Sequence, residues 1–227
     1  MPTVRLLTYN IRSLRDDRAA VARVIRAAEP HVVCIQEAPR FLRWRSTCAA
    51  LARRCGLVIV GGGRPAGANL LMSTLSVDSL RVEDVLFSRI RRLERRGAAL
   101  AELSYAGSRF VIAGTHLDLE QPARLRHVDD LHRAVGGFAG DLPSIVAGDI
   151  NDEPASQVWA RLSGARPDVF AAVGTGEGHT YSARNPVRRI DGVFADRRIA
   201  AVSATVIDSP DTRVASDHRP VLVELEV

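Results

Sequence analysis

A chain of 227 residues, 46% hydrophobic and 25% charged, has the composition of an ordinary globular protein, and its length accommodates one large domain spanning 1–227 without demanding a second. No apolar run reaches the ~20 residues needed to cross a bilayer, and Met1-Pro2-Thr3 leads straight into strand-like residues rather than a signal peptide, so a soluble, cytoplasmic monomer is expected. The net charge is +5, but all 31 basic residues are arginine; alongside so much alanine this reads as genomic composition, and it raises the expectation of an anionic partner only modestly.

In chain order, Val4 to Thr8 predicts a first strand, followed by a helix from about Arg15 to Ala28 in which Ala20, Val21, Val24, Ile25 and Ala28 keep helical spacing. Pro30 closes it, and His31 to Gln36 reads as a buried strand. A second helix is expected from about Phe41 to Arg54, stopped by Gly56, then a short strand, Leu57 to Val60, ending in the glycines at 61, 62 and 63. Ser76 to Phe87, Ala98 to Tyr105 and Arg109 to Thr115 are extended or apolar runs. A helix from Pro122 to Phe138 carries Leu125, Val128, Leu131, Val135 and Phe138 on one stripe, with His127 and His132 on its polar side. Ser144 to Ala147 forms a strand, Ala155 to Leu162 a short helix, and Ile190 to Phe194, Val202 to Ile207 and Val221 to Val227 three more strands. Roughly ten strands and four helices predict an α/β protein of two packed sheets with helices outside. Cys34, Cys48 and Cys55, an odd count without a CxxC pair, read as buried thiols in a reducing compartment.

Chemistry-bearing residues collect at strand ends. Asn10 ends Thr8-Tyr9-Asn10 and Glu37 ends Ile35-Gln36-Glu37. His116 and Asp118 follow Gly114-Thr115, Asp149 and Asn151 follow Ile145-Val146-Ala147, Asp191 opens a late strand, and Asp217-His218 precedes the last. Each alone has an ordinary explanation, since Asn and Asp form turns through their own backbone. Six together are harder to dismiss, because strand ends converge where a sheet opens to a ligand. Phosphoester hydrolysis explains the set. It requires neutralisation of phosphoryl oxygens, which Mg²⁺ supplies from a few oxygen ligands; Asn10, Glu37 and Asp217 are suitable donors. A water must be oriented and deprotonated, a role open to Asp149 with Asn151 holding the phosphate. A histidine backed by a carboxylate can donate to developing charge, which pairs His218 with Asp191.

The segments Thr8-Tyr9-Asn10-Ile11, Ile35-Gln36-Glu37, Gly114-Thr115-His116-Leu117, Gly148-Asp149-Ile150-Asn151, Arg189-Ile190-Asp191 and Ser216-Asp217-His218 resemble, in this order, the endonuclease/exonuclease/phosphatase superfamily. The resemblance implies a four-layer α/β sandwich of the DNase I-like kind, two mixed β-sheets flanked by helices. It also implies Glu37 as principal metal ligand with Asn10 and Asp217, Mg²⁺ with Mn²⁺ as substitute, Asp149 as water activator and Asn151 as its phosphate-orienting partner. His218 then contacts the scissile phosphate with Asp191 behind it, His116 is a second phosphate-binding histidine, and Arg96 is a further phosphate contact.

The departures bear on substrate. The stretch from His179 to Asp191 lacks the tryptophan-rich signature of abasic-site endonucleases, which carry tyrosine at the His116 position, and the Cys-Asp-Arg hallmark of inositol-polyphosphate 5-phosphatases is missing. Gly148 to Pro154 looks most like small bacterial hydrolases of the superfamily. The leading expectation is a phosphodiesterase of nuclease type, acting on DNA or RNA. A phospholipid or small-molecule phosphoesterase comes second, and a non-catalytic nucleic-acid-binding module third. A zinc hydrolase is excluded by spacing, since no HxH or HExxH occurs among the six histidines.

Overall fold

A computed structural model describes residues 1–227. Eleven strands form: β1 Thr3–Asn10, β2 Val32–Gln36, β3 Val58–Gly63, β4 Asn69–Ser73, β5 Val77–Leu86, β6 Gly97–Tyr105, β7 Ser108–His116, β8 Ser144–Asp149, β9 Asp191–Ala195, β10 Ala200–Val206 and β11 Val221–Glu226. Six helices accompany them: α1 Arg18–Ala27, α2 Trp44–Cys55, α3 Gln121–Ala139, α4 Gln157–Ala165, α5 Val169–Val173 and α6 Thr212–Ala215. One mixed sheet runs β10-β11-β1-β2-β4-β3 and the other β5-β6-β7-β8-β9.

Alternation along the strands builds the layers. On β1, Val4 and Leu6 face the apolar cluster between the sheets, while Leu7 and Tyr9 join the cluster beneath α1 and α2. On β7, Phe110 and Ile112 face inward, while Val111 and Ala113 meet the cluster beneath α3 and α4. The result is helices, sheet, sheet, helices: a DNase I-like four-layer sandwich.

Local departures from the sequence expectation have physical causes. The first helix begins at Arg18, because Asp17 caps it, its carboxylate accepting from Ala19 N at 2.8 Å and Ala20 N at 3.0 Å; Arg12–Leu14 before it is a 3-10 turn. The second begins at Trp44, since Arg43 takes a left-handed conformation (φ 59°). The strand expected to stop at the glycines continues through them. A Cβ on Gly61 would lie 2.3 Å from Val82 Cγ1, so the edge strands of the two sheets approach there at a distance only glycine permits. Of the two histidines expected on the polar side of α3, His132 is half-buried and His127 is not solvated at all. His127 is buried with its ring 5.3 Å from Phe87, and Asp130 on the same flank accepts from Ser88 N at 2.7 Å; the end of β5 and the segment after it cover that side of the helix.

Candidate active site

The site is the polar end of the inter-sheet core. Asn10 and Gln36 continue the inward-facing series of β1 and β2, and His116, Asp149 and Asp191 continue those of β7, β8 and β9. The strand register sets the last three side by side: His116 pairs with Asp149 across β7–β8, and Asp149 with Asp191 across β8–β9. This closeness explains Gly148, whose hypothetical Cβ would fall 1.9 Å from Thr115 O. Glu37 and Asn151, just beyond their strands, break the alternation with φ of 50° and 54°. Asn tolerates this conformation; Glu does not, which places mild strain at Glu37.

The two sheets meet through Asn10. Its Nδ2 donates to Asp149 Oδ2 at 2.9 Å and to Glu37 Oε1 at 3.2 Å, while its Oδ1 accepts from Arg12 N at 3.0 Å. Ser216 ties the segment before β11 to β1, donating to Asn10 O at 2.7 Å. His218 shares a hydrogen bond through Nδ1 with Asp191 Oδ2 at 2.9 Å, and its Nε2 faces Asp149 Oδ2 across 3.7 Å. His116 Nε2 lies 3.3 Å from Asp149 Oδ2 and 2.9 Å from Asn151 Nδ2, and its Nδ1 lies 3.0 Å from Arg96 Nη1. Asn151 Nδ2 donates to Leu117 O at 3.0 Å, and its backbone N–H donates to Asp149 Oδ1 at 3.0 Å. Glu37, His116, Asp149, Asn151, Asp217 and His218 line one cavity of about 580 Å³; Asn10 and Asp191 stand behind its wall.

The two histidines hold opposite charge states. Burial pushes His218 down, but the Asp191 and Asp149 charges, the hydrogen bond to Asp191 and the Asp217 charge outweigh it and raise the group to about 10. His116 is lowered to about 3 by burial, which the Asp149 charge only partly offsets, and the Arg96, His218 and Arg40 charges lower it further. A guanidinium can only donate, so His116 Nδ1 acts as an acceptor and the ring is neutral.

The donor set fits a cation. Glu37, Asp149, Asp191 and Asp217 converge, with His218 beside Asp149 and Asp191 and Arg12 beside Asp217. Asp191 Oδ1 and Tyr9 Oη are buried without a partner, and the Tyr9 hydroxyl is pushed up by burial and by the Asp217, Asp16 and Asp191 charges. Asp149, Asp191 and His218 offer donor atoms within 4.8 Å of one another, a cluster capable of holding a metal and different from the expected set of Asn10, Glu37 and Asp217. Within it the His218–Asp191 hydrogen bond already engages two of the donor atoms.

Two neighbours escaped sequence analysis. Arg12 approaches Asp217, Nε to Oδ2 at 3.4 Å, and Tyr181 packs its ring 5.1 Å from that of His218. The aromatic in His179-Thr180-Tyr181 was the available signal for the second; for Arg12 there was none beyond its place after Asn10-Ile11.

Among known proteins, residues 7–218 match the Endonuclease/Exonuclease/phosphatase family. The chain is similar to Nocturnin of Drosophila melanogaster, 28% identical over 156 residues, which make up 60% of this chain and only 24% of that protein. Among solved structures, the endonuclease/exonuclease/phosphatase from Bacteroides vulgatus superposes with a TM-score of 0.85 at 20% identity over 100% of both chains. The mannosyl-6-phosphatase of Bacteroides thetaiotaomicron gives 0.86 at 16% identity, over 99% of this chain and 100% of that one. These structures share the fold. With the family match running through every strand-end segment from Asn10 to His218, the chain belongs to the Endonuclease/Exonuclease/phosphatase family, whose members are metal-dependent hydrolytic phosphoesterases.

Proposed function

We propose that this chain is a Mg²⁺-dependent phosphoesterase that hydrolyses a phosphodiester by in-line attack of an activated water. The observation that carries the proposal is a proton donor facing a buried carboxylate: His218, raised to about 10, across 3.7 Å from Asp149 Oδ2. In this proposal Asp149 orients the attacking water and accepts its proton, with the carboxylate held by Asn10 Nδ2 and Asn151 N. His218 donates through Nε2 to a phosphoryl oxygen, while Asp191 fixes the ring at Nδ1 and stabilises its positive charge. Asn151 and neutral His116 position the phosphate. Glu37, Asn10 and Asp217 would hold Mg²⁺, with Mn²⁺ as substitute; bound there, the ion neutralises charge on the phosphoryl group and the leaving oxygen.

A nuclease acting on DNA or RNA is the leading form, supported by the net charge of +5 and the arginines lining the cavity. A small-molecule phosphomonoesterase is the second, supported by the near full-length likeness to a mannosyl-6-phosphatase. No helix is long and apolar enough to cross a membrane, and three buried, unbridged cysteines suit a reducing compartment; we infer a single-domain, cytoplasmic monomer.

The test is an activity screen in Mg²⁺, Mn²⁺ and EDTA over bis-p-nitrophenyl phosphate, single- and double-stranded DNA, RNA, phospholipid and sugar phosphates. His218→Ala and Asp149→Asn are each expected to lower turnover by about 10²-fold or more while leaving the circular dichroism spectrum unchanged. Full activity in EDTA, or in both variants, would sink the mechanism. Activity confined to a lipid or a monoester would overturn the nuclease form.

A further inference from the structure

Away from Asp149 and His218 the cavity continues beneath the segment joining β5 to β6, where its wall changes character. Arg15, Arg40 and Arg92 line it there, with Phe41 and Leu93 between them. The other arginines of the cavity have partners: Arg96 has His116 and Arg188 has Glu153 at 2.8 Å. Arg15 and Arg92 have neither a side-chain hydrogen bond nor an ion pair, and Arg40 is ion-paired with Glu94 alone, Nη2 to Oε1 at 2.8 Å, its guanidinium lying 5.5 Å over the Phe41 ring. The same Glu94 lies 3.8 Å from Arg96 Nη1. Its carboxyl is held below the ordinary range by the Arg40 hydrogen bond, against burial, and by the charges of Arg40, Arg96 and Arg15. One carboxylate thus stands among three arginines, with Arg92 unpaired on the same wall. The Glu94 side chain is 55% exposed, so solvent is open to it. Arg96 links this arm to the hydrolytic end through His116 and on to Asp149.

We propose that this arm is a subsite for a second anionic group of the substrate, one phosphate away from the ester that is cleaved, and that the Glu94 carboxylate fills it until the substrate displaces it. The inference rests on the phosphoesterase reading above and narrows it to substrates bearing two phosphates. A nucleotide with a flanking phosphate and a sugar bisphosphate share that chemistry; the apolar faces of Phe41 and Leu93 favour the nucleotide, whose base they can cover.

The test compares p-nitrophenyl thymidine 5′-phosphate with the same ester carrying a 3′-phosphate, two substrates with one leaving group. In the unmodified protein the 3′-phosphate is expected to lower KM about tenfold, the scale of a charge-assisted contact. The double substitution Arg15→Ala/Arg92→Ala brings the ratio of the two KM values towards one, and Glu94→Gln widens it. Equal KM values in the unmodified protein, or a ratio unmoved by either change, would overturn the subsite. Calorimetric titration in EDTA with thymidine 3′,5′-bisphosphate and with mannose 1,6-bisphosphate separates this idea from its foundation. If neither ester is hydrolysed the phosphoesterase reading fails, yet loss of bisphosphate binding in the arginine variant still supports the subsite and unchanged binding refutes it. The tighter of the two bisphosphates identifies the source of the second phosphate.

Discussion

His116 and His218 reach for the same oxygen, Oδ2 of Asp149, from 3.3 and 3.7 Å, and their opposite charge states have opposite consequences for stability. His116 falls to about 3 in the folded protein, so below pH 6.5 the unfolded chain binds a proton that the folded one refuses. Its contribution is present above pH 6.5 and is lost as pH falls towards 3. His218 rises to about 10; its contribution is complete below pH 6.5 and is lost as pH climbs through 10. Urea melts of the metal-free protein from pH 4 to pH 10 are therefore expected to lose their acid-side slope in His116→Gln and their alkaline-side slope in His218→Gln. A parallel profile in both variants would contradict these assignments. The eight candidate residues were legible in the sequence because each sits where an apolar run ends in a group with chemistry. Arg12 and Tyr181 were not, since what they touch is supplied by segments remote in sequence, which no local pattern encodes.

Elements were legible in proportion to their length and periodicity. The ten-residue α1 and nineteen-residue α3 carry apolar stripes that announce them. The strand β4, five residues buried throughout, has no alternation to read and follows the glycine- and alanine-rich stretch 61–68. The short α5 and α6, of five and four residues, never complete enough turns to show a period. Capping is more dependable at such boundaries. Asp17→Ala leaves Ala19 N and Ala20 N without their acceptor and is expected to cost about 1 kcal/mol of stability, measured by urea denaturation, with hydrolytic activity retained at permissive temperature. An unchanged midpoint would mean that the helix end is satisfied by water.

At the scale of the molecule, four layers bury all three cysteines. Burial pushes Cys48 to about 11, and Cys55 to about 11 despite the opposing Arg26 charge, and raises Cys34 further. Thiolate is the reactive species, so native protein treated with iodoacetamide at pH 8 is expected to remain unmodified by mass spectrometry while denatured protein takes up three labels, one for each free cysteine. Rapid labelling of the native form would show that the layers open. Two packed sheets with helices outside were legible from the count of strands and helices, but which strand neighbours which was not, because pairing across the first sheet joins residues from opposite ends of the sequence. There β11 lies between β10 and β1, with Thr3 opposite Glu226. During synthesis β1 must wait for a partner made long after it, and the segment bearing Asp217 and His218 arrives together with that partner. A product released before β11 lacks the strand that joins β10 to β1 and the His218 side of its cavity. If His218 acts as proposed, hydrolytic competence is thereby withheld from incomplete chains.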